Sequence, residues 1–159
     1  MNMKQLKNKD YDVITNYFVN NFNKNFSKYF CDPYINEATE FSAFVIKDSL
    51  FNYSSLFYTN EENTEMICFR LRKKPINSLI IDLIYFDFDL NENFIEKFNF
   101  LFNDIKLKYE NIGKVNICLN EENINKLVNS LQELNFSCEV IYYDEFGLGN
   151  NVLVYSRYL

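Results

Sequence analysis

Residues Ser78 to Asp89 read Ser-Leu-Ile-Ile-Asp-Leu-Ile-Tyr-Phe-Asp-Phe-Asp, a nearly continuous apolar run broken only by Asp82, Asp87 and Asp89. A strand buried on both faces looks like this, because neither set of alternating side chains meets water. After the run, Phe94, Phe98, Leu101, Phe102, Ile105 and Tyr109 recur at helical spacing, and Gly113 is expected to close that helix. Lys114 to Leu119 then alternates as a strand. Strand, helix and strand joined by a crossover of this length predict a parallel pair.

Outward from that unit the signals remain regular. Ile124, Leu127, Val128, Leu131 and Leu134 mark a second amphipathic helix. Cys138–Tyr143 and Asn151–Tyr158 read as two strands joined by a loop, Asp144 to Asn150, whose Gly147 and Gly149 suit a wide hairpin. On the N-terminal side, Ser55–Tyr58 and Met66–Leu71 form a hairpin around Asn60-Glu61-Glu62-Asn63. Further upstream, Asn8 or Asp10 can cap a helix to about Phe22 with Ile14, Tyr17, Phe18 and Phe22 on one face. Asn36 to Leu50 is a second helical stretch, and Cys31-Asp32-Pro33 separates the two because the residue before proline disfavours helix. The expected architecture is α/β of the α+β kind. A mixed, mostly antiparallel central sheet with one locally parallel pair is flanked by helices, and residues 1–159 form a single domain.

Composition narrows the chemistry. The net charge of −6 and pI near 4.7 repel phosphate backbones, so no nucleic-acid partner is expected. Arg70, Arg72, Lys73 and Lys74 fall close together, and read as a solvated strand end and turn in preference to an anion site. The chain has no histidine, which excludes imidazole bases, Ser-His-Asp and Cys-His catalysis and His-ligated zinc. Cys31, Cys68, Cys118 and Cys138 show no CxxC spacing and read as small buried hydrophobes rather than metal ligands or disulfides, so no metal is expected. The first ten residues are polar and carry no secretory signal, and no run approaches the roughly 20 apolar residues of a membrane span. A cytoplasmic protein with no membrane partner is the expectation.

Two stretches are residue-specific enough to suggest a family. Ile80-Ile81-Asp82-Leu83-Ile84-Tyr85 is similar to the central strand of the GNAT acetyltransferase superfamily, often an acidic residue followed by Leu-Val-Val. Leu119-Asn120-Glu121-Glu122-Asn123, leading into a helix that closes on Glu133-Leu134-Asn135-Phe136, resembles that family's Asn-rich strand exit and Lys-Leu-Gly-Phe helix ending. The resemblance covers Ser78 to Leu159, and over the first 77 residues it rests on element order. It implies acetyl-CoA or another acyl-CoA as cofactor, held through the backbone of Ile84, Tyr85, Asn91, Asn93, Phe94 and Ile95. It also implies a small or peptidic amine as substrate, which an acidic surface would suit when the amine is cationic. Asp82 is the implied base, and Tyr85, Tyr142 and Tyr143 are the nearest phenols for a proton donor.

The same alignment exposes departures. The family's Arg/Gln-x-x-Gly-x-Gly/Ala phosphate loop is replaced by Leu90-Asn91-Glu92-Asn93-Phe94-Ile95, and its general-acid tyrosine by Leu131. Asn tolerates left-handed backbone, so Asn91 and Asn93 are expected to keep some of the loop's geometry. These losses leave a second reading, a non-catalytic binding module of the same fold. Its aromatic-rich first half, from Phe26 to Tyr58, would line a groove or the face of a homodimer.

Overall fold

The computed structural model describes residues 3–21, 31, 55–74, 78–87 and 93–159. The helix expected over Asn36–Leu50 lies outside the described residues, as does Asn91. The described elements are β1 (Met3–Gln5), α1 (Tyr11–Asn21), β2 (Ser55–Asn60), β3 (Met66–Lys73), β4 (Leu79–Phe86), α2 (Asn93–Lys108), β5 (Ile112–Asn120), α3 (Glu121–Glu133), β6 (Ser137–Tyr142) and β7 (Val152–Tyr158). The strands form one sheet in the order β1-β2-β3-β4-β5-β7-β6. Every neighbouring pair is antiparallel except β4 with β5. Among the described residues, no helix is long and apolar enough to cross a membrane.

The sheet separates two clusters of apolar side chains, and strand alternation decides which residue joins which. Ile81 and Leu83 of β4 and Val115, Ile117 and Leu119 of β5 pack with Phe94, Phe98, Leu101, Phe102 and Ile105 of α2 and Leu131 of α3. Phe86, Phe94, Phe98 and Phe102 follow one another as tilted or edge-on ring pairs with centroids 4.6 to 5.7 Å apart, a spacing that favours aromatic contact beyond simple area burial. On the opposite face, Ile14, Tyr17 and Phe18 of α1 cover Phe57, Met66, Cys68, Ile84 and Tyr85. Burial there pushes the Cys68 thiol up to about 12, so this cysteine is an inert hydrophobe. Tyr17 donates to Asp87 and meets the Tyr85 hydroxyl at 3.0 Å; burial first, then these neighbours, raises its pKa well above the ordinary phenol value.

Two local expectations need correction. Gly113 does not end α2, which stops at Lys108. It lies inside β5 as an extra residue, since Leu79 pairs with Ile112 and Ile80 with Lys114. A lone glycine in a strand commonly marks such a bulge. The polar N-terminus also contributes a strand. Met3–Gln5 pairs with Gln5 opposite Tyr58 and Met3 opposite Asn60, and Met3 is buried. Three residues are too few for periodicity to reveal them.

The close of α3 explains the motif Leu134-Asn135-Phe136. The Phe136 amide donates to the Leu131 carbonyl at 2.8 Å and the Asn135 amide to Gln132 at 2.9 Å, with Asn135 at φ 61°. This is a Schellman ending, in which asparagine takes the left-handed position usually given to glycine. Phe136 and Leu131 share the same buried cluster, the apolar contact that accompanies the motif.

Phe98 is fully buried at the centre of the phenylalanine row. Phe98→Ala is expected to cost about 3–5 kcal/mol. Urea denaturation should show a lower midpoint at an unchanged m-value; a loss below ~1 kcal/mol would contradict the packing described.

Candidate functional site

The parallel ladder between β4 and β5 runs from Leu79–Ile112 to Leu83–Ile117 and stops there, although β4 continues to Phe86 and β5 to Asn120. A second bulge accompanies the break. Against β3, Tyr85 pairs with Cys68 and Leu83 with Phe69, which leaves Ile84 as the extra residue. Side-chain direction agrees: Ile84 and Tyr85 both join the α1 cluster, whereas Leu83 and Phe86 face α2. The Ile84 carbonyl accepts a hydrogen bond from the Cys31 amide at 2.8 Å.

A groove of about 560 Å³ follows the sheet face opposite α2 and α3 and reaches this break. Its lining alternates along each strand: Arg70 and Arg72 from β3, Ile80, Asp82 and Ile84 from β4, Lys114, Asn116 and Cys118 from β5. Val152 and Val154 add apolar wall, Leu83 borders the groove while its side chain faces α2, and Glu139, Val140 and Tyr142 come from β6. Tyr142 is the one aromatic side chain in the lining among the described residues.

The floor is a hydrogen-bonded row. Asp82, Asn116 and Ser156 are direct cross-strand partners on β4, β5 and β7. Asn116 donates to Asp82 at 3.2 Å, and Ser156, nearly inaccessible, donates to Asn116 at 2.9 Å. Arg72 grips Asp82 with two N–H groups, one of them at 2.7 Å. That bidentate hydrogen bond raises the Arg72 pKa against the opposing effect of partial burial. Asp82 retains 17% side-chain exposure and Arg72 52%. A parallel arrangement stands one step away. Lys114 donates to Glu139, which also accepts from the Tyr158 hydroxyl at 3.0 Å, while the Lys114 ammonium sits 5.4 Å from the Tyr158 ring centroid.

Of the residues singled out in the sequence, Asp82, Ile84 and Tyr142 are brought into the groove. Tyr142 is half-exposed and shares a row with Val152 and Asn120, at the end where β4 and β5 part. Tyr143 follows it in a turn at 73% exposure and is absent from the groove lining. Tyr85 points into the α1 core, bonded to Tyr17. Asn93, Phe94 and Ile95 form the first turn of α2, with Asn93 exposed, Phe94 buried against Phe86 and Ile95 half-buried. Asn93 is helical rather than left-handed, so the expectation of a turn-like backbone does not hold there. Arg72, Lys114, Asn116, Glu139 and Ser156 were not singled out as site residues. Lys114, Asn116 and Cys118 alternate with Val115, Ile117 and Leu119, and that period was the available signal.

A sheet with one parallel pair that parts beside a bulge, backed by α2 and α3, can be compared with solved structures. Over 99% of this chain and 94% of theirs, it superposes on spermidine N-acetyltransferase from Vibrio cholerae, in complex with CoA and spermine, with TM-score 0.64 at 16% identity. The chain has the GNAT fold. An N-acetyltransferase from Staphylococcus aureus Mu50 gives TM-score 0.63 at 15% identity, covering 99% of this chain and 96% of that one. Arabidopsis thaliana NAA60 in complex with acetyl-CoA gives 0.63 at 4% identity, covering 99% and 98%. No family model matches the sequence, and no curated protein matches it at a significant level. Within the GNAT fold the groove described above lies beside the parted central strands.

Lys114 holds the Glu139 carboxyl below its ordinary value of 4.5, with Tyr158 adding to the effect. A carboxyl depressed in the folded state stabilises above its unfolded pKa, and that contribution is lost as pH falls through the lower folded value. Wild type should therefore melt above Glu139→Gln near neutral pH, with the gap closing below about pH 4.5. A gap that stayed constant in melting curves down the acid limb would refute the coupling.

Proposed function

We propose that residues 1–159 form one GNAT domain that transfers an acyl group from acyl-CoA to an amine. The observation that carries this reading is the open groove reaching the gap between β4 and β5, beyond Leu83 and Ile117. A non-catalytic descendant filled by aromatic side chains would have no such passage, and Tyr142 alone among the described lining residues is aromatic. The CoA-bound and acetyl-CoA-bound neighbours of the same fold support the choice of co-substrate.

The residues fit an acyl-CoA in two respects. Apolar Ile80, Ile84, Val152 and Val154 offer a wall for an acyl chain and thioester. The first turn of α2, with Asn93 exposed and Phe94 and Ile95 behind it, is a helix N-terminus, whose dipole favours phosphate oxygens. Acyl-CoA, when bound, supplies the thioester carbonyl that the amine attacks. Backbone N–H groups beside the Ile84 bulge are the donors suited to polarise that carbonyl. Tyr142 is the phenol placed to protonate the departing thiolate, in place of the tyrosine that Leu131 replaces. Asp82, or a water it orders, takes the proton that the amine loses as the C–N bond forms and the C–S bond breaks, with Arg72 and Asn116 holding the carboxylate in place.

A second reading rests on β6, the outer strand. All six of its residues are exposed, including Val140, Ile141 and Tyr142, and Tyr143 follows. Among the described residues no strand pairs with the outer edge of β6, and an edge of this character can pair with another strand, which suits an interaction module or a homodimer.

Thermal unfolding with acetyl-CoA separates the readings. Binding to the native state should raise the melting midpoint progressively, by the equivalent of ~2.7 kcal/mol at a hundredfold excess over Kd. No rise up to millimolar acetyl-CoA, with a dimer detected by light scattering, would replace the enzyme with the interaction module.

A further inference from the structure

Asn116 and Ser156 are polar side chains held almost out of contact with water, at 7% and 1% exposure, in strands whose other buried side chains are apolar. With Asp82 they form one cross-strand row, and exposure falls along it from Asp82, whose side chain keeps 17%, to Ser156. Burying an amide and a hydroxyl costs free energy unless each finds a partner, and a pair of apolar residues of the same size would tie the strands at no such cost. The most accessible member of the row is Asp82, the carboxylate that the acyltransferase reading makes the proton acceptor, so the buried pair is placed to act on it.

The direction of the hydrogen bonds follows from Asp82. An ionised carboxylate only accepts, so the side of the Asn116 amide that meets it must be Nδ2. Oδ1 then faces Ser156, which has to donate. A hydroxyl carries one proton, and Glu139 is another acceptor near it, its carboxyl held below the ordinary value by Lys114 first, with smaller help from Tyr158 and Ser156. Because Lys114 and Tyr158 already donate to Glu139, the Ser156 proton can remain on Asn116. Without that donor the amide loses the contact that holds its oxygen. A half-turn about Cβ–Cγ would then bring Oδ1 against Asp82, where it repels the carboxylate instead of supporting it.

We propose that Ser156 is a positioning residue for acyl transfer and acts through Asn116: its hydroxyl holds the amide with Nδ2 toward Asp82 and so keeps that carboxylate aimed as the acceptor of the amine's proton. This rests on the acyltransferase reading. In that step the amine nitrogen bonds to the thioester carbonyl carbon, the C–S bond breaks, the sulfur leaves with its electron pair, and the nitrogen's proton passes to Asp82. Ser156 touches none of the reacting atoms. Its part is to fix the amide from the buried end of the row, while Arg72 grips the same carboxylate from β3.

The test compares Ser156→Ala and Ser156→Thr in the full chain, with acetyl-CoA and the best acceptor among spermidine, hexylamine and an alanyl peptide. Ser156→Ala should lower kcat about tenfold while KM for acetyl-CoA stays within about twofold of wild type, the size expected for one lost hydrogen bond. Ser156→Thr keeps the hydroxyl on a residue suited to a strand and should recover most of the rate. In an Asp82→Asn background the same Ser156→Ala change should cost less than about twofold, because the group it acts on is gone. Equal losses in both backgrounds, or a threonine variant no better than the alanine one, would overturn the proposal while leaving acyl transfer intact. The Asn116 side-chain NH2 pair in amide NMR spectra, identified by its absence in Asn116→Val, gives a readout independent of turnover. Its exchange with water should speed up about tenfold in Ser156→Ala and stay slow in Ser156→Thr. If no amine is acetylated, the acyltransferase reading falls and this exchange decides for Ser156. Acceleration in the alanine variant alone supports the hold on Asn116, and equal exchange in wild type and both variants overturns it.

Discussion

The short parallel segment in which Ile80–Leu83 of β4 faces Lys114–Ile117 of β5 governs everything around it. A bulge bounds it at each end, at Gly113 in β5 and at Ile84 in β4. Because β4 is buried on both faces, any slip in register would carry apolar side chains from one cluster to the other and disrupt both. Within the segment, the Asn116 to Asp82 hydrogen bond ties the strands together through their side chains as well as their backbones. Past Leu83 and Ile117 the ladder between β4 and β5 ends, although each strand stays paired with its other neighbour, and the groove reaches this point. The site thus follows from where pairing is forced to stop.

The two faces of the sheet do different physical work. Toward α2 and α3, the phenylalanine row and the aliphatic residues of β4 and β5 form a dry interior, where Leu131 is wholly buried. On the other face, α1 covers the end bearing Phe57, Met66, Ile84 and Tyr85, while the groove beyond it keeps Arg72, Asp82, Asn116 and Lys114 on its walls. Charged side chains persist there because each carboxylate has a cationic partner and each amide a hydrogen-bond partner. That polarity is local. A net charge of −6 describes the mean surface and carries no information about a cleft built from three or four strands.

Much of the fold was legible in the residues. Ser78–Asp89 announced its central place by lacking alternation, and the spacing from Phe94 to Ile105 announced the helix that covers it. The Asn135 ending was readable too, since asparagine is among the few residues that accept its left-handed backbone. Where reading failed, the competing signal was tertiary. Gly113 resembled a helix terminator because it follows a helical pattern, yet its freedom serves a bulge that only the neighbouring strand defines. Met3–Gln5 is a strand solely because β2, more than fifty residues later, offers it an edge.

For the site, the sequence by itself determined the chemical repertoire. The absence of histidine excluded imidazole bases, Cys-His and Ser-His-Asp constellations and His-ligated zinc, and the pattern placed Asp82 in an apolar strand and alternating polar residues along Lys114–Cys118. It also determined the order of elements, because hydrophobic period and turn residues are local properties. Tertiary structure alone decided which of those groups meet. Arg72 reaches Asp82, Asn116 joins Asp82 to Ser156, and Tyr142 arrives at the groove while Tyr85 turns into the core. The reason is that register between strands distant in the chain, shifted by single-residue bulges, sets which side chains share a row. A bulge moves every later side chain to the other face, and its position is fixed by packing on both sides of the sheet.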